Sequence, residues 1–228
     1  MPREMEFSAE AEMQKKQETI HKARSFRSGR QNRTWGNQIR HTIQVSLRAK
    51  PGLLTEGRVE ALSEVAHAIV EVFRRGGKLL VFGNGDSAAN AQHFATELVR
   101  KYYRDRQPLP ALALTVNTSS LTAVGNDYSF QQIFARQVEA QGQTGDVAIG
   151  ISTSGNSPNV IEGLKRVKQE GLVTVGLTGA TAGRLKELTD YCLCAPSTDT
   201  PRIQEGHILM ADVLSEIVEQ ELFPTPKE

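Results

Sequence analysis

No apolar run in these 228 residues approaches the length of a transmembrane helix. The amino-terminal stretch MPREMEFSAEAEMQKK has no apolar core of the kind a secretory signal needs. A soluble, cytoplasmic protein is expected. Excess charge is lacking too: 27 Lys and Arg face 26 Asp and Glu, a net charge of +1. Nothing therefore calls for nucleic acid or an acidic membrane surface. Cysteine is scarce, with Cys192 and Cys194 alone. They stand two apart in an expected strand and are read as projecting to opposite faces, as small sheet or core residues without a disulfide. No internal repeat is visible.

What is present is an α/β pattern. A chain that is 39% hydrophobic and 23% charged is long enough for one α/β domain with a substantial core and an appendage. Residues 1–34 are polar and read as a flexible arm, with a transient helix at Ala9–Ala23 and a basic patch from His21 to Arg33. Trp35, Ile39, Ile43 and Leu47 recur at i, i+4 and predict a helix over 35–48, stopped by Pro51-Gly52. A second helix is expected over 55–75, with Thr55 as its cap. Its apolar side is Val59, Leu62, Val65, Ala66, Ile69, Val72 and Phe73, and Gly76-Gly77 end it. Both stripes must be buried, on the domain or on another subunit. Strands and helices then alternate: strand 78–82, helix 87–104, strand 111–115, a short helix ending near Gly125, a turn at Asn126-Asp127 and helix 128–141. Strand 147–151, a helix opened by Pro158, strand 172–177, helix 184–189, strand 191–195 and a last helix over 202–222 follow. The alternation argues for a parallel sheet covered on both faces.

The chain is organised around Lys78–Glu97, KLLVFGNGDSAANAQHFATE. A short apolar strand runs into Gly83-Asn84-Gly85-Asp86-Ser87, a turn whose glycines permit positive φ, with Ser87 placed as N-cap of an Ala-rich helix. Free N–H groups and the helix dipole make such a turn an anion site. One turn into the helix, His93 and Glu97 share a face at i, i+4. Two further polar turns follow strands: Asn117–Ser120 and Ser152–Ser157. The latter, STSGNS, carries Ser152, Thr153, Ser154 and Ser157 just before a helix, a set suited to a phosphate dianion without Lys or Arg. It is not a Walker A loop, for no Gly-Lys-Ser/Thr follows, nor does it have dinucleotide-fingerprint spacing.

GNGDSAANAQHFATEL, LTAVGNDYSF, ISTSGNSPNVIEG and TPRIQEGH together resemble the sugar isomerase (SIS) domain family, and within it the phosphoheptose isomerases, over roughly residues 38–223. The resemblance implies a three-layer α/β/α sandwich around a central, mainly parallel five-stranded sheet. It divides the chain into the arm (1–34), helices for oligomerisation (35–76), the SIS domain (77–223) and a tail (224–228). It implies conversion of sedoheptulose 7-phosphate to D-glycero-D-manno-heptose 7-phosphate in heptose and lipopolysaccharide biosynthesis, by a homotetramer with active sites between subunits. Ser152, Thr153, Ser154 and Ser157 would hold the phosphate. Asn84, Gly85, Asp86, Ser87, Asn126 and Asp127 would line the sugar. Zinc would be held by His93, Glu97, Gln204 and the residue eight beyond it, with Gln204 also touching substrate. Aldose–ketose isomerisation through an enediol needs a base at carbon, a proton relay and an electrophile. Glu97 would be the base and zinc the electrophile.

Two positions depart from the family pattern. Asp86 replaces the second Gly of GNGGS, adding a negative charge and, were positive φ required, strain. Asp212 replaces the family's second metal-binding and catalytic His. Asp is shorter yet still able to ligate zinc or act as a base. His207, three after Gln204, is read as a structural or interface residue. A second reading from another class is a non-catalytic regulator of the same fold that binds a partner protein, as a relative binds the replication initiator DnaA. That relative lacks the Glu of HxxxE, which this chain keeps as Glu97.

Overall fold

The computed structural model describes Gln17 and residues 34–224. The expected Ala9–Ala23 helix (Gln17 apart), the basic patch and residues 225–228 lie outside the described residues. Two compact units divide between Arg48 and Ala49. Residues 34–49 form helix α1 as the i, i+4 series predicts, and Trp35, Ile39, Ile43 and Leu47 are all more than half exposed.

The second unit opens with a 3-10 turn, Lys50–Leu54, and helix α2, Glu56–Arg74. Thr55 takes the N-cap position with extended backbone, but its hydroxyl donates to the Gly52 carbonyl instead of capping the helix. The expected apolar side is buried except for Val59, which is exposed. Five strands follow: β1 (Leu79–Gly83), β2 (Ala111–Ala113), β3 (Val147–Ile151), β4 (Val173–Thr178) and β5 (Tyr191–Cys194). They pair in the order β2-β1-β3-β4-β5, all parallel, with β1 in register from Leu79 opposite Val147 to Gly83 opposite Ile151.

The remaining helices are α3 (Asp86–Val99), α4 (Thr118–Asp127), α5 (Ala135–Gln141), α6 (Pro158–Gln169), α7 (Leu185–Leu188) and α8 (Thr200–Leu222). Strand residues alternate between two cores. Leu79, Val81, Ile149 and Val175 face one cluster with residues of α2, α3 and α8; Leu80, Phe82 and Ala148 face the other with α5 and α6. A sheet buried on both faces explains why the central strands read as unbroken apolar runs.

Several expectations are corrected. Helix α3 stops at Val99, not at residue 104. The N–H groups of Tyr102, Tyr103 and Arg104 donate to the Glu219 carboxylate at 2.8, 2.7 and 2.9 Å instead of to helix carbonyls. Arg106 Nε joins the same carboxylate at 3.1 Å, both side chains being 2% exposed. Asn126 and Asp127 end α4 rather than forming a turn, and 128–141 breaks into a 3-10 turn at Phe130–Gln132 and α5. Cys192 and Cys194 share a face, their sulfurs 3.9 Å apart, because side chains in a strand repeat with a period of two. No disulfide links them.

Candidate active site at the switch between β1 and β3

The chain leaves β1 on one side of the sheet, into α3, and leaves its neighbour β3 on the other, into α6. Open parallel sheets gather ligands outside the carboxyl ends of strands where the order reverses in this way. The GNGDS and STSGNS turns lie there side by side. A Cβ on Gly83 would sit 2.8 Å from the Ile151 carbonyl and from Ser87 Cβ, so only glycine lets the strand ends and α3 approach so closely.

In the first turn Gly85 takes φ +55 and is the N-cap of α3. Asp86 is the first helical residue and has no positive φ, so its replacement of Gly carries no backbone strain. Ser87, expected as the cap, is instead buried in the first helical turn. The Asp86 carboxylate accepts the Gln204 amide at 3.0 Å, tying α3 to α8. Asn84 and Asn159 exchange amide hydrogen bonds, each 2.8 Å, and so bridge the first turn to α6 across the switch. Asn159 was not singled out from the sequence. Its signal was a polar residue on the otherwise apolar inner face of α6, where it is 2% exposed.

In the second turn Ser152 is buried and its hydroxyl lies 2.9 Å from that of Ser157. Among the described residues, the N–H groups of Thr153 and Ser154 donate to nothing, which leaves them for an anion. The loop between β4 and α7 buttresses this turn. Gly179 N–H donates to Thr153 O at 3.1 Å, Leu185 N–H to Gly155 O at 3.2 Å and Arg184 N–H to Asn156 Oδ1 at 3.1 Å. Gly155 has φ +67, and a Cβ there would fall 1.9 Å from the Ala182 carbonyl oxygen. Ala182 is itself left-handed at φ +59, a conformation that costs an alanine about 1–2 kcal/mol.

On the α3–α8 side, His93 Nε2 donates to Asp212 Oδ1 at 2.8 Å. The residue that departs from the family pattern therefore meets the histidine of HxxxE directly. Burial and the Asp212 charge push the nearby Tyr102 phenol up to about 12, so it stays a proton donor. Glu97, one turn beyond His93, makes no side-chain bond among the described residues, and Arg106 reaches its backbone carbonyl instead. Gln204 is turned to Asp86, and Asn126 and Asp127 are exposed and bond each other at 2.8 Å. Those two make no side-chain hydrogen bond to the other candidate residues. His207 is fully buried, its Nε2 donating to Thr178 O at 3.1 Å, a structural role.

Of the expected zinc donors only His93 and Asp212 meet. The described residues contain no group of three or more His, Cys, Asp and Glu side chains disposed to hold a metal.

Residues 50–179 match the SIS domain family. The chain is 48% identical over 186 residues to the phosphoheptose isomerase of Aneurinibacillus thermoaerophilus, covering 81% of this chain and 94% of that one. It is 54% identical over 168 residues to that of Roseiflexus sp. (strain RS-1), covering 74% and 85%. The chain belongs to the SIS-domain family, among the phosphoheptose isomerases. Solved structures agree. The phosphoheptose isomerase of Neisseria gonorrhoeae superposes with a TM-score of 0.77 at 39% identity, over 82% of this chain and 99% of that one. The Francisella tularensis protein gives 0.78 at 37%, over 81% and 97%. The five-stranded parallel sheet between helices is thus the SIS fold, as the sequence motifs imply. Among the described residues no helix is long and apolar enough to cross a membrane.

Proposed function

We propose that this SIS-domain protein is a phosphoheptose isomerase that interconverts sedoheptulose 7-phosphate and D-glycero-D-manno-heptose 7-phosphate in the cytoplasm. The observation that carries the reading is the STSGNS turn, with its free N–H groups and hydroxyls, set beside the GNGDS turn at the sheet's switch point, where the Asn84–Asn159 pair ties the first turn to the helix that follows the second. Phosphate held at Ser152, Thr153, Ser154 and Ser157 anchors one end of the sugar and leaves its carbonyl end to reach α3. Glu97, a carboxylate with no partner of its own, removes the proton from carbon and returns it to the adjacent carbon of the enediol. Asp212, oriented by His93, moves the proton between the two oxygens. The Gln204–Asp86 bond holds α8 against the sugar-binding turn. Assembly as a homotetramer would cover the exposed apolar series of α1 with another subunit.

The test is incubation with sedoheptulose 7-phosphate, with and without added zinc, followed by phosphorus NMR. Conversion to the heptose 7-phosphate is expected, falling by about 10²–10⁴ in Glu97→Gln. A rate in Glu97→Gln equal to wild type removes Glu97 from the mechanism. No conversion under either condition rejects the assignment.

A further inference from the structure

Cys192 and Cys194 lie on β5, away from the switch point, at the wall of a cavity of about 280 Å³ between α2, β5 and α8 that is also lined by Arg58, Ala61, Leu62 and Met210. Both side chains are partly exposed, and their sulfurs are 3.9 Å apart on one face. Arg58 is fixed at this spot: its Nε donates to the Cys194 carbonyl and its Nη1 to the Gly52 carbonyl, each at 3.0 Å. The positive charges of Arg58, held on the Cys194 carbonyl, and of Lys186 make this partly exposed thiol pair an electropositive setting of the kind that makes a cysteine reactive. Among the described residues β5 is the edge strand, paired with β4. The isomerase chemistry uses none of these groups.

We propose that Cys192 and Cys194 are a peroxide-oxidised dithiol switch, with Cys194 the nucleophile and Cys192 the resolving thiol. The Cys194 thiolate attacks one oxygen of hydrogen peroxide; the O–O bond breaks, the peroxide is reduced, and hydroxide leaves and takes up a proton as water. Cys194 is then a sulfenic acid. Cys192 gives up its proton and attacks that sulfur; the S–O bond breaks and the hydroxyl leaves as a second water. Two thiols and one peroxide thus become one disulfide and two waters.

The two sulfurs have different roles. The contact between the two thiols, with burial, holds the Cys192 thiol protonated well above its usual range. The contact with Cys192, together with Arg58 and Lys186 nearby, outweighs burial and brings Cys194 down to about 7. The product is labile. Residues i and i+2 of a strand are about 6.6 Å apart at Cα, two rises of roughly 3.3 Å, near the upper limit for a disulfide. Such a strained bond is readily returned to the dithiol by a cellular dithiol reductant.

The test uses the full-length reduced protein, treated with hydrogen peroxide at neutral pH and read by mass spectrometry. A loss of about two mass units, confined to the peptide bearing both cysteines and reversed by dithiothreitol, is expected. Cys192→Ser should stop at a sulfenic acid that a dimedone-type probe traps, whereas Cys194→Ser should react at least tenfold more slowly. Arg58→Gln should slow wild-type oxidation about tenfold at pH 7, with the gap closing at pH 9, because it lowers the thiolate fraction. The proposal is overturned if peroxide leaves the dithiol intact. It is equally overturned if the two single variants trap sulfenic acid at equal rates, or if over-oxidation proceeds in the wild type without a disulfide.

Discussion

The Nε2 of His93 and the Oδ1 of Asp212, 119 residues apart in sequence, meet at 2.8 Å and join α3 to α8. The hydrogen bond puts the substituted carboxylate in direct contact with the histidine of the HxxxE helix. In Asp212→Ala this orientation is lost. Because both side chains are about a third exposed, stability should change by less than about 1 kcal/mol. Turnover should nevertheless fall at least tenfold. Denaturation and isomerisation measured on the same preparation separate the two. A variant with normal turnover removes Asp212 from the reaction.

Gly155 and Ala182 make opposite predictions. Gly155→Ala sets a Cβ 1.9 Å from the Ala182 oxygen at a backbone with φ +67, so the phosphate turn must shift. Substrate affinity should drop by more than tenfold, or the protein should fail to accumulate. Ala182→Gly relieves a left-handed alanine and should raise stability by up to about 1 kcal/mol with turnover retained. Chemical denaturation checks both.

Glu219 should be the most costly carboxylate to remove. Glu219→Ala leaves Arg106 buried without its counter-charge and frees the Tyr102–Arg104 N–H groups, a loss of about 3–5 kcal/mol. Burial pushes the Glu219 carboxyl up, but the N–H groups of Tyr102, Tyr103 and Arg104 and the Arg106 guanidinium outweigh it and hold the carboxyl below the usual range. A depressed folded value means this stabilisation is complete above the unfolded value of 4.5 and is lost as pH falls through the folded one. Urea midpoints of wild type and Glu219→Gln should converge in that acid window.

His207 adds a second acid-sensitive step. Burial, opposed by the hydrogen bond to Thr178, lowers its folded value below 6.5. The unfolded chain therefore binds the extra proton first, and stability falls as pH drops below 6.5. A His207→Phe variant should show a flatter dependence there in urea titrations.

Much of the fold was legible. The runs Leu79–Phe82 and Val147–Ile151 read directly as buried strands, and the polar turns after them marked the site. Boundaries failed where a distant partner intervened. Helix α3 ends at Val99 since Glu219, from α8, captures the following N–H groups. The helical spacing of His93 and Glu97 was visible, but Asn159 became recognisable only through its pairing with Asn84. Strand periodicity places the two cysteines together, against the expectation of opposite faces; the neighbourhood of Arg58 is not readable from local sequence.

Sequence alone determined the alternation of strands and helices, the glycine turns at Gly85 and Gly155 and the motifs that place the chain in its family. Those depend on local periodicity, on φ freedom and on residues near one another in the chain. Tertiary structure decided which polar groups meet: His93 with Asp212, Gln204 with Asp86, Asn84 with Asn159 and Glu219 with the loop after α3. Crossovers on both sides of a parallel sheet bring together side chains that lie 75–119 residues apart. Only packing sets their distances.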